Sequence, residues 1–459
     1  MIKKQKCVLY CELVFKTLYI LDVLLAFNGY IAGNKAISYF NYFLVTFGGI
    51  LLLLRAFHFR NYIKTSYFFL LIAFVASMVL SAALNVNYGY IQNIQSIVWT
   101  TLQFGMLFAT DETIDRTEYK KQLKIIFVIF YFYIFIANLV SIAMFIFNYG
   151  VFGKYSPSGN IIGFLWGRLW GIYSDPNNGS ALSGISIIIS MCAYAHFKKK
   201  RYKVFLIMNI VIDYVYILLS DSRTGKLSTF AGVAVALYLL IKESKRIKFR
   251  SIVKNSLCAL IAVFVSLSAF VVAKGFEKCY NSVAVYINSS SQSSDKYEVP
   301  IVTGRDSADT ENDISNRRFD LWKSGVEIWK TSPIYGVSQR NILPYAKTNI
   351  PKTYMVNNDL GDFDSTHNLF LDILVSQGII GLVIMLSFFA CIAISIIRKL
   401  LSDKNFAIIL SEPFNAAIVG ILCSISCTSM FVLDVLYLNS AETILFWSCM
   451  GYLSRILKK

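Results

Sequence analysis

The chain has 459 residues, 56% hydrophobic and only 15% charged, with a formal charge of +17. A soluble domain carries about a quarter charged residues, so this balance excludes an ordinary soluble enzyme. The apolar residues also run in unbroken stretches, Tyr67 to Leu84 and Ile125 to Phe147 among them, and a helix needs roughly 20 such residues to cross a bilayer. Backbone polar groups cannot stay unpaired in lipid, and the alternating period of a β-barrel is absent, so the stretches predict helices.

Taken in chain order, hydropathy predicts an all-α, polytopic membrane protein of about twelve spans. They fall near residues 13–32, 38–57, 66–84, 91–109, 125–147, 178–197, 204–220, 227–241, 251–273, 369–397, 406–428 and 438–455. The division that follows is 1–273 for the first nine spans, 274–367 for a large loop, and 368–459 for the last three. The positive charge does not mark a nucleic-acid binder, because it gathers in alternate loops. Lys3, Lys4 and Lys6 form one cluster, Arg55, Arg60 and Lys64 the next, then Arg116, Lys120, Lys121 and Lys124. The series continues at 198–203, 242–250, 398–404 and 455–459. That alternation is the positive-inside pattern; it places both termini in the cytoplasm and makes anionic lipid the partner of the charge.

Among nine cysteines only Cys279 falls in an outward loop. With one external thiol and no paired-cysteine spacing, neither a disulfide nor a zinc site is expected. The basic N-terminus followed by an apolar run lacks a small-residue cleavage site and reads as a retained first span. The large loop opens with a polar, Ser-rich stretch around residues 288–295, too polar to fold tightly. From Ser315 to Thr331 the pattern changes. Leu321, Trp322, Val326, Ile328 and Trp329 recur at helical spacing, Asp313 or Ser315 can cap the start, and Pro333 ends the helix. Such a helix suits the outer membrane interface, with its tryptophans as anchors.

Two histidines, His58 and His196, sit at cytoplasmic span ends. His367 alone faces outward, in Gly361-Asp362-Phe363-Asp364-Ser365-Thr366-His367-Asn368. Imidazole is well suited to proton transfer near neutral pH, and Asp364 or Asp362 could orient it. The plainer alternative is a helix start capped by Asp364, Ser365 and Thr366, in which His367 is incidental. Arg168, Arg223, and the pair Arg317 and Arg318 lie on the same side, against the positive-inside bias. A guanidinium holds two phosphate oxygens at once, so as a set these arginines suggest a phosphorylated lipid; each alone reads as headgroup snorkelling. Acids within spans, Asp213 above all, with Asp22, Asp434 and Glu442 less deep, cost roughly 2.5–3.5 kcal/mol each on insertion scales. They are the only support for a flippase or other transporter.

The run STHNLFLDILVSQGIIGL (365–382) resembles the O-antigen ligase/polymerase family of bacterial membrane glycosyltransferases, with His367 followed by ten residues and Gly378. NRRFDLWKSGVEIWKTSPIYGV (316–337) resembles the family's Arg-x-x-x-Trp element through Arg318 and Trp322, or its Arg-x-x-x-Leu form through Arg317 and Leu321. Pro333 and Gly336 match a Pro-x-x-Gly element, while Ser338 stands where many members carry a second glycine. GRLWGIYSDPNN (167–178) and SDSRTG (220–225) resemble two further segments, so the likeness runs from about residue 160 to 390.

The resemblance implies an inverting, metal-independent transferase without a cofactor, in the bacterial inner membrane with its site outward. The donor would be a glycan on undecaprenyl pyrophosphate, passed to a glycan acceptor. Residue by residue, it implies that Arg168 and Arg318 (or Arg317) bind the pyrophosphate, that Arg223 assists, and that His367 takes the acceptor's proton. Asp364 joins the substrate-binding set. Two activities remain open: a polymerase of repeat units for capsule, exopolysaccharide or O-antigen, or a ligase moving finished glycan to a lipid A core. A chain-length regulator and a flippase of the same pathway are the expected protein partners.

Overall fold

The computed structural model describes residues 2–242, 251–290, 317–359 and 361–458. In chain order the helices are α1 (Ile2–Ala26), α2 (Lys35–Ala56), α3 (Phe59–Tyr62), α4 (Phe68–Leu84), α5 (Val86–Leu102), α6 (Arg116–Ile146), α7 (Pro176–His196), α8 (Lys200–Leu219), α9 (Arg223–Lys242) and α10 (Ser251–Ser290). After the loop come α11 (Arg318–Thr331), α12 (Ile342–Asn349), α13 (Leu369–Ser402), α14 (Lys404–Ser411), α15 (Pro413–Thr428) and α16 (Ala441–Leu457). The protein is thus an α-helical membrane protein. Among the described residues, six helices are long and apolar enough to cross a bilayer, or up to seven if the bent pair Asn405–Ser411 and Pro413–Thr428 forms one span. Each of the twelve expected stretches overlaps helical backbone. Several of the others are short: α4, α5 and α16 have 17 residues each and α15 has 16.

Three expectations change. The helix α10 continues to Ser290, so the opening of the expected loop at 274 is helical; residues such as Lys, Glu and Ala keep a helix going without an apolar face. The loop helix starts at Arg318, with Arg317 at its cap in a left-handed conformation (φ 63°); Asp313 and Ser315, proposed caps, lie outside the described residues. So do most of the Ser-rich stretch and of the basic cluster at 242–250. Finally, the segment around Arg168 is a small antiparallel sheet rather than plain loop, of β1 (Gly150–Val151), β2 (Ile162–Leu165) and β3 (Arg168–Gly171). Leu165 pairs with Arg168 across a two-residue turn in which Trp166 (φ 50°) and Gly167 (φ 70°) are both left-handed. That is the hairpin turn whose twist matches the strands it joins.

Polar side chains that the sequence reading did not single out start several helices. Asp115 accepts from Thr117 N at 2.7 Å, Asp175 from Asn177 N at 2.8 Å, and Asn368 from Phe370 N and Leu371 N at 3.1 Å each. Inside the bundle, two of the costly acids sit in separate hydrogen-bonded clusters, while Asp434 and Glu442 lie buried beside one another. Asp213 accepts from Asn138 Nδ2 at 2.8 Å and Asn209 Nδ2 at 2.7 Å, and Asp22 accepts from Asn41. Glu12 pairs with Arg55 at 2.6 Å. The guanidinium of Arg55 also donates to Gly105 O and Ala109 O, in and at the end of the π-helical turn Gln103–Phe108 that extends α5. Removing either partner would leave a buried charge uncompensated.

One interlock positions the site. Within α13 the helix breaks at Gly378 (φ 63°, ψ −161°), and the loop that follows α11 lies in the break. Val337 N donates to Val375 O (2.9 Å), Ser338 N to Ser376 O (2.8 Å), and Ile379 N to Pro333 O (2.9 Å). A Cβ at Gly378 would come within 2.2 Å of Ile334 O, and one at Gly336 within 2.4 Å of Gln377 N. The Pro-x-x-Gly and His…Gly elements are therefore two halves of one backbone joint. Gly378→Ala combines a glycine-only conformation with a backbone collision and is expected to destabilise by about 3 kcal/mol. A clearly lower melting temperature in detergent checks this, and an unchanged one would refute the joint.

Candidate functional site

Four helices begin at the same end of the bundle, and their first residues build the site. Arg168 opens β3; its Nε donates to Ser220 O at 2.9 Å and its Nη2 to Asn177 Oδ1 at 3.1 Å. Ser220 ends α8, where the chain turns through Asp221 and Ser222 into Arg223, the first residue of α9. From the other side, Arg318 Nη2 donates to Thr224 Oγ1 at 3.1 Å, and its guanidinium lies 5.2 Å from the ring of Phe431. Two arginines 150 positions apart in sequence thus grip the single turn 220–224, which carries a third. Arg223 is exposed at that turn. Arg317 is also exposed, at the cap of α11, while Arg318 is half-buried and turned to Thr224.

His367 stands in a loop locked onto α13. Asp372 accepts from Ser365 Oγ and from Thr366 N, each at 2.7 Å, and His367 N donates to Ser365 Oγ at 3.0 Å. Asn368 is the cap, holding Phe370 N and Leu371 N, and its Nδ2 donates to Met430 O. The expected capping by Asp364, Ser365 and Thr366 is replaced by this arrangement. His367 itself has φ 53°, a conformation uncommon for a residue with a Cβ and found where surrounding structure enforces it. Its ring meets Phe363 edge-on at 6.2 Å.

The electrostatics tie these pieces together. Burial lowers the His367 pKa below its ordinary value, the nearby Arg318 guanidinium lowers it further, and Asp175 and Asp364 oppose both. Asp175 is raised by burial, against its hydrogen bond to Asn177 and the charges of Arg168 and His367. Imidazole, Arg318, Arg168, Asp175 and Asp364 therefore share one neighbourhood. Asp362 does not join it, being paired with Lys347. The helix α11 docks on the histidine loop at Gly325, where a Cβ would come within 2.6 Å of Thr366 Cγ2. Its Trp322 and Trp329 are half-buried, and the Trp329 indole donates to Pro333 O at 3.1 Å.

Three residues at this end escaped the sequence reading. Asp175 lay in the quoted run before the sixth span but was given no role, although Asp-Pro opening a helix signals a cap. Phe431 lies in the connection between α15 and α16, which carried no motif. Arg340 follows the Pro-x-x-Gly turn; burial lowers its pKa, and Asp364 opposes the shift. The departure at Ser338 also gains an explanation. This residue has φ 69°, where glycine is at ease, and its hydroxyl donates to Asn93 Oδ1 at 2.7 Å. Among the described residues, no group of three or more His, Cys, Asp or Glu side chains is placed to hold a metal ion.

Residues 205–386 match the family model described as O-antigen ligase. The match takes in Arg223, Arg317, Arg318 and His367, while Arg168 lies upstream of it. The chain is also 25% identical over 279 residues to a Haemophilus influenzae protein described as uncharacterized. That alignment covers 60% of this chain and 62% of the relative, so it spans less than two thirds of that protein. The family match supports an O-antigen ligase/polymerase-like protein.

Proposed function

With an O-antigen ligase/polymerase-like family as the premise, we propose that the protein is a bacterial inner-membrane glycosyltransferase that polymerises lipid-linked repeat units of a surface polysaccharide. The observation that carries this reading is the convergence of Arg168 and Arg318 on the turn 220–224, with His367 in the electrostatic reach of Arg318. Donor glycan on undecaprenyl pyrophosphate sits with its phosphates between Arg168, Arg318 and the exposed Arg223. As the bond from the anomeric carbon to the phosphate oxygen breaks, those cations stabilise the departing anion. His367 takes the proton from the acceptor hydroxyl as that oxygen attacks from the opposite face, which inverts the anomeric centre. Asp175 and Asp364 hold the imidazolium that forms. Of the two neighbouring arginines, Arg318 is the substrate-facing one in this reading, because its guanidinium reaches Thr224 on the turn that Arg168 also holds.

In this reading twelve spans cross the membrane with both termini cytoplasmic, and the end bearing His367 faces outward, where a flippase delivers the donor and a chain-length regulator meets the enzyme. Ligation of finished glycan to a lipid A core uses the same donor chemistry and is the alternative. Transport is the alternative of another class; Asp213 and Asp22 are tied up in separate local clusters, while Asp434 and Glu442 lie buried beside one another.

Purified protein given a lipid-linked repeat unit is expected to yield a ladder of glycan lengths on the lipid carrier. The same ladder should form with chelator present, because guanidinium groups supply the positive charge. Transfer only to lipid A core would replace polymerase with ligase, and loss of activity on chelation, restored by a divalent metal, would overturn the metal-free scheme.

A further inference from the structure

The segment between α12 and α13 sets flat rings beside the imidazole. Tyr354 and Phe363 lie nearly parallel, with 19° between their planes and centroids 6.4 Å apart. The His367 ring stands at 84° to Phe363 and 6.2 Å from it. A sugar seated between two rings needs ~7–8 Å, twice the separation of touching carbons, so Tyr354 and Phe363 form one floor rather than a slot. His367 stands upright beside that floor. The floor is anchored to α11, the helix that begins with Arg318. Thr353 Oγ1 donates to Glu327 Oε2 at 2.8 Å and Met355 N to Ser324 Oγ at 3.2 Å, while Phe363 N donates to Met355 O at 3.1 Å. Phe363 also packs against the small core of Ile328, Val337, Met355 and Val375. Tyr354 takes no part in that core. It is half-buried, and among the described residues its hydroxyl makes no hydrogen bond. Core packing accounts for Phe363 but not for Tyr354.

We propose that this floor seats the terminal pyranose of the acceptor glycan and presents one of its hydroxyls to His367. The inference rests on the transferase reading above and adds which part of the chain recognises the acceptor. A pyranose chair carries weakly positive C–H bonds on its flat face, which suit the negative face of an aromatic ring. Its equatorial hydroxyls lie close to the mean plane of the ring. A sugar lying on Phe363 therefore points one sideways, towards a group that stands upright at the edge. Asp364, exposed and within the electrostatic reach of His367, accepts from a second hydroxyl; its charge favours a neutral sugar over an acidic one. Because α11 carries both Arg318 and the anchors of the floor, a single helix sets the donor phosphates and the acceptor ring in register.

The test uses the full-length protein in detergent and, as probe, the repeat-unit oligosaccharide released from its lipid carrier and converted to a methyl glycoside. That compound lacks the pyrophosphate and can serve only as acceptor. In saturation-transfer NMR, irradiating the aromatic protons is expected to saturate the C–H protons of its terminal sugar most strongly. Tyr354→Ala is expected to raise the Kd of the glycoside about fivefold to tenfold, the scale of one ring contact, while Tyr354→Phe stays within about twofold. No transfer of saturation, a pattern centred on another sugar, or an unchanged Kd in Tyr354→Ala overturns the proposal. A kinetic arm measures transfer from lipid-linked donor to the glycoside. There Tyr354→Ala is expected to raise the acceptor KM by the same factor, with kcat and the donor KM within about twofold. A loss confined to kcat, or shared equally by the donor KM, overturns the assignment. If the unmodified protein binds the glycoside in this pattern but glycosylates nothing, the transferase reading falls and the sugar floor stands.

Discussion

Replacing His367 with Ala is expected to lower glycan transfer by about 10²–10⁴, the usual contribution of a positioned general base. The acceptor hydroxyl is a poor nucleophile, and no other imidazole lies at this end of the molecule. Because His367 is held at φ 53°, alanine there also carries a backbone penalty. Asn tolerates that conformation better and keeps a polar group, so it separates lost basicity from lost geometry. Both variants should be comparably inactive, with the Asn variant melting near the parent temperature in detergent. Near-parental polymer from the Asn variant would remove His367 from the chemistry. The pH dependence adds a signature. A base whose pKa lies below that of free imidazole stays unprotonated to lower pH, so the acid limb of kcat/KM should fall below about 6.5.

Arg318→Ala is expected to cost about 10²–10³ in kcat, comparable with removing one donor to a developing oxyanion. Lys should restore only part of this, since a point charge cannot reproduce a planar fork that reaches Thr224 and phosphate together. Arg317→Ala should lose much less. The two predictions are linked through charge. Arg318 holds the His367 pKa down, so its loss raises that pKa and moves the acid limb of the remaining activity to higher pH. A slowed Arg318→Ala enzyme with an unmoved pH profile would separate the two groups. Equal losses at 317 and 318 would reverse the choice between them.

Much of this arrangement was legible in the sequence because it is written in side chains that membranes penalise. Unbroken apolar runs located helices, and the singled-out Arg168 and Arg318 do meet at one turn, 220–224. The caps Asp175 of α7 and Asn368 of α13 stood inside the quoted runs without being singled out. What stayed hidden depends on backbone rather than composition. Nothing in GRLWGIYS reads as a strand bound to a neighbour, because the sheet is short and set by two left-handed residues. The lock between 333–338 and the break at Gly378 joins segments whose separate motifs give no sign that they meet. Asp372 has no motif role in the sequence reading, yet its two oxygens set the histidine loop. Thr224 and Phe431 are ordinary residues singled out only by what lies beside them.

The docking of α11 has an evolutionary consequence. Its seat depends on Gly325 against Thr366 and on the joint at Gly378, all C-terminal to Arg318. Chain added or removed upstream of Arg317 leaves those anchor points untouched. Changes of chain length in that stretch are therefore expected to leave the spacing of the Arg318 guanidinium and the His367 imidazole unaltered.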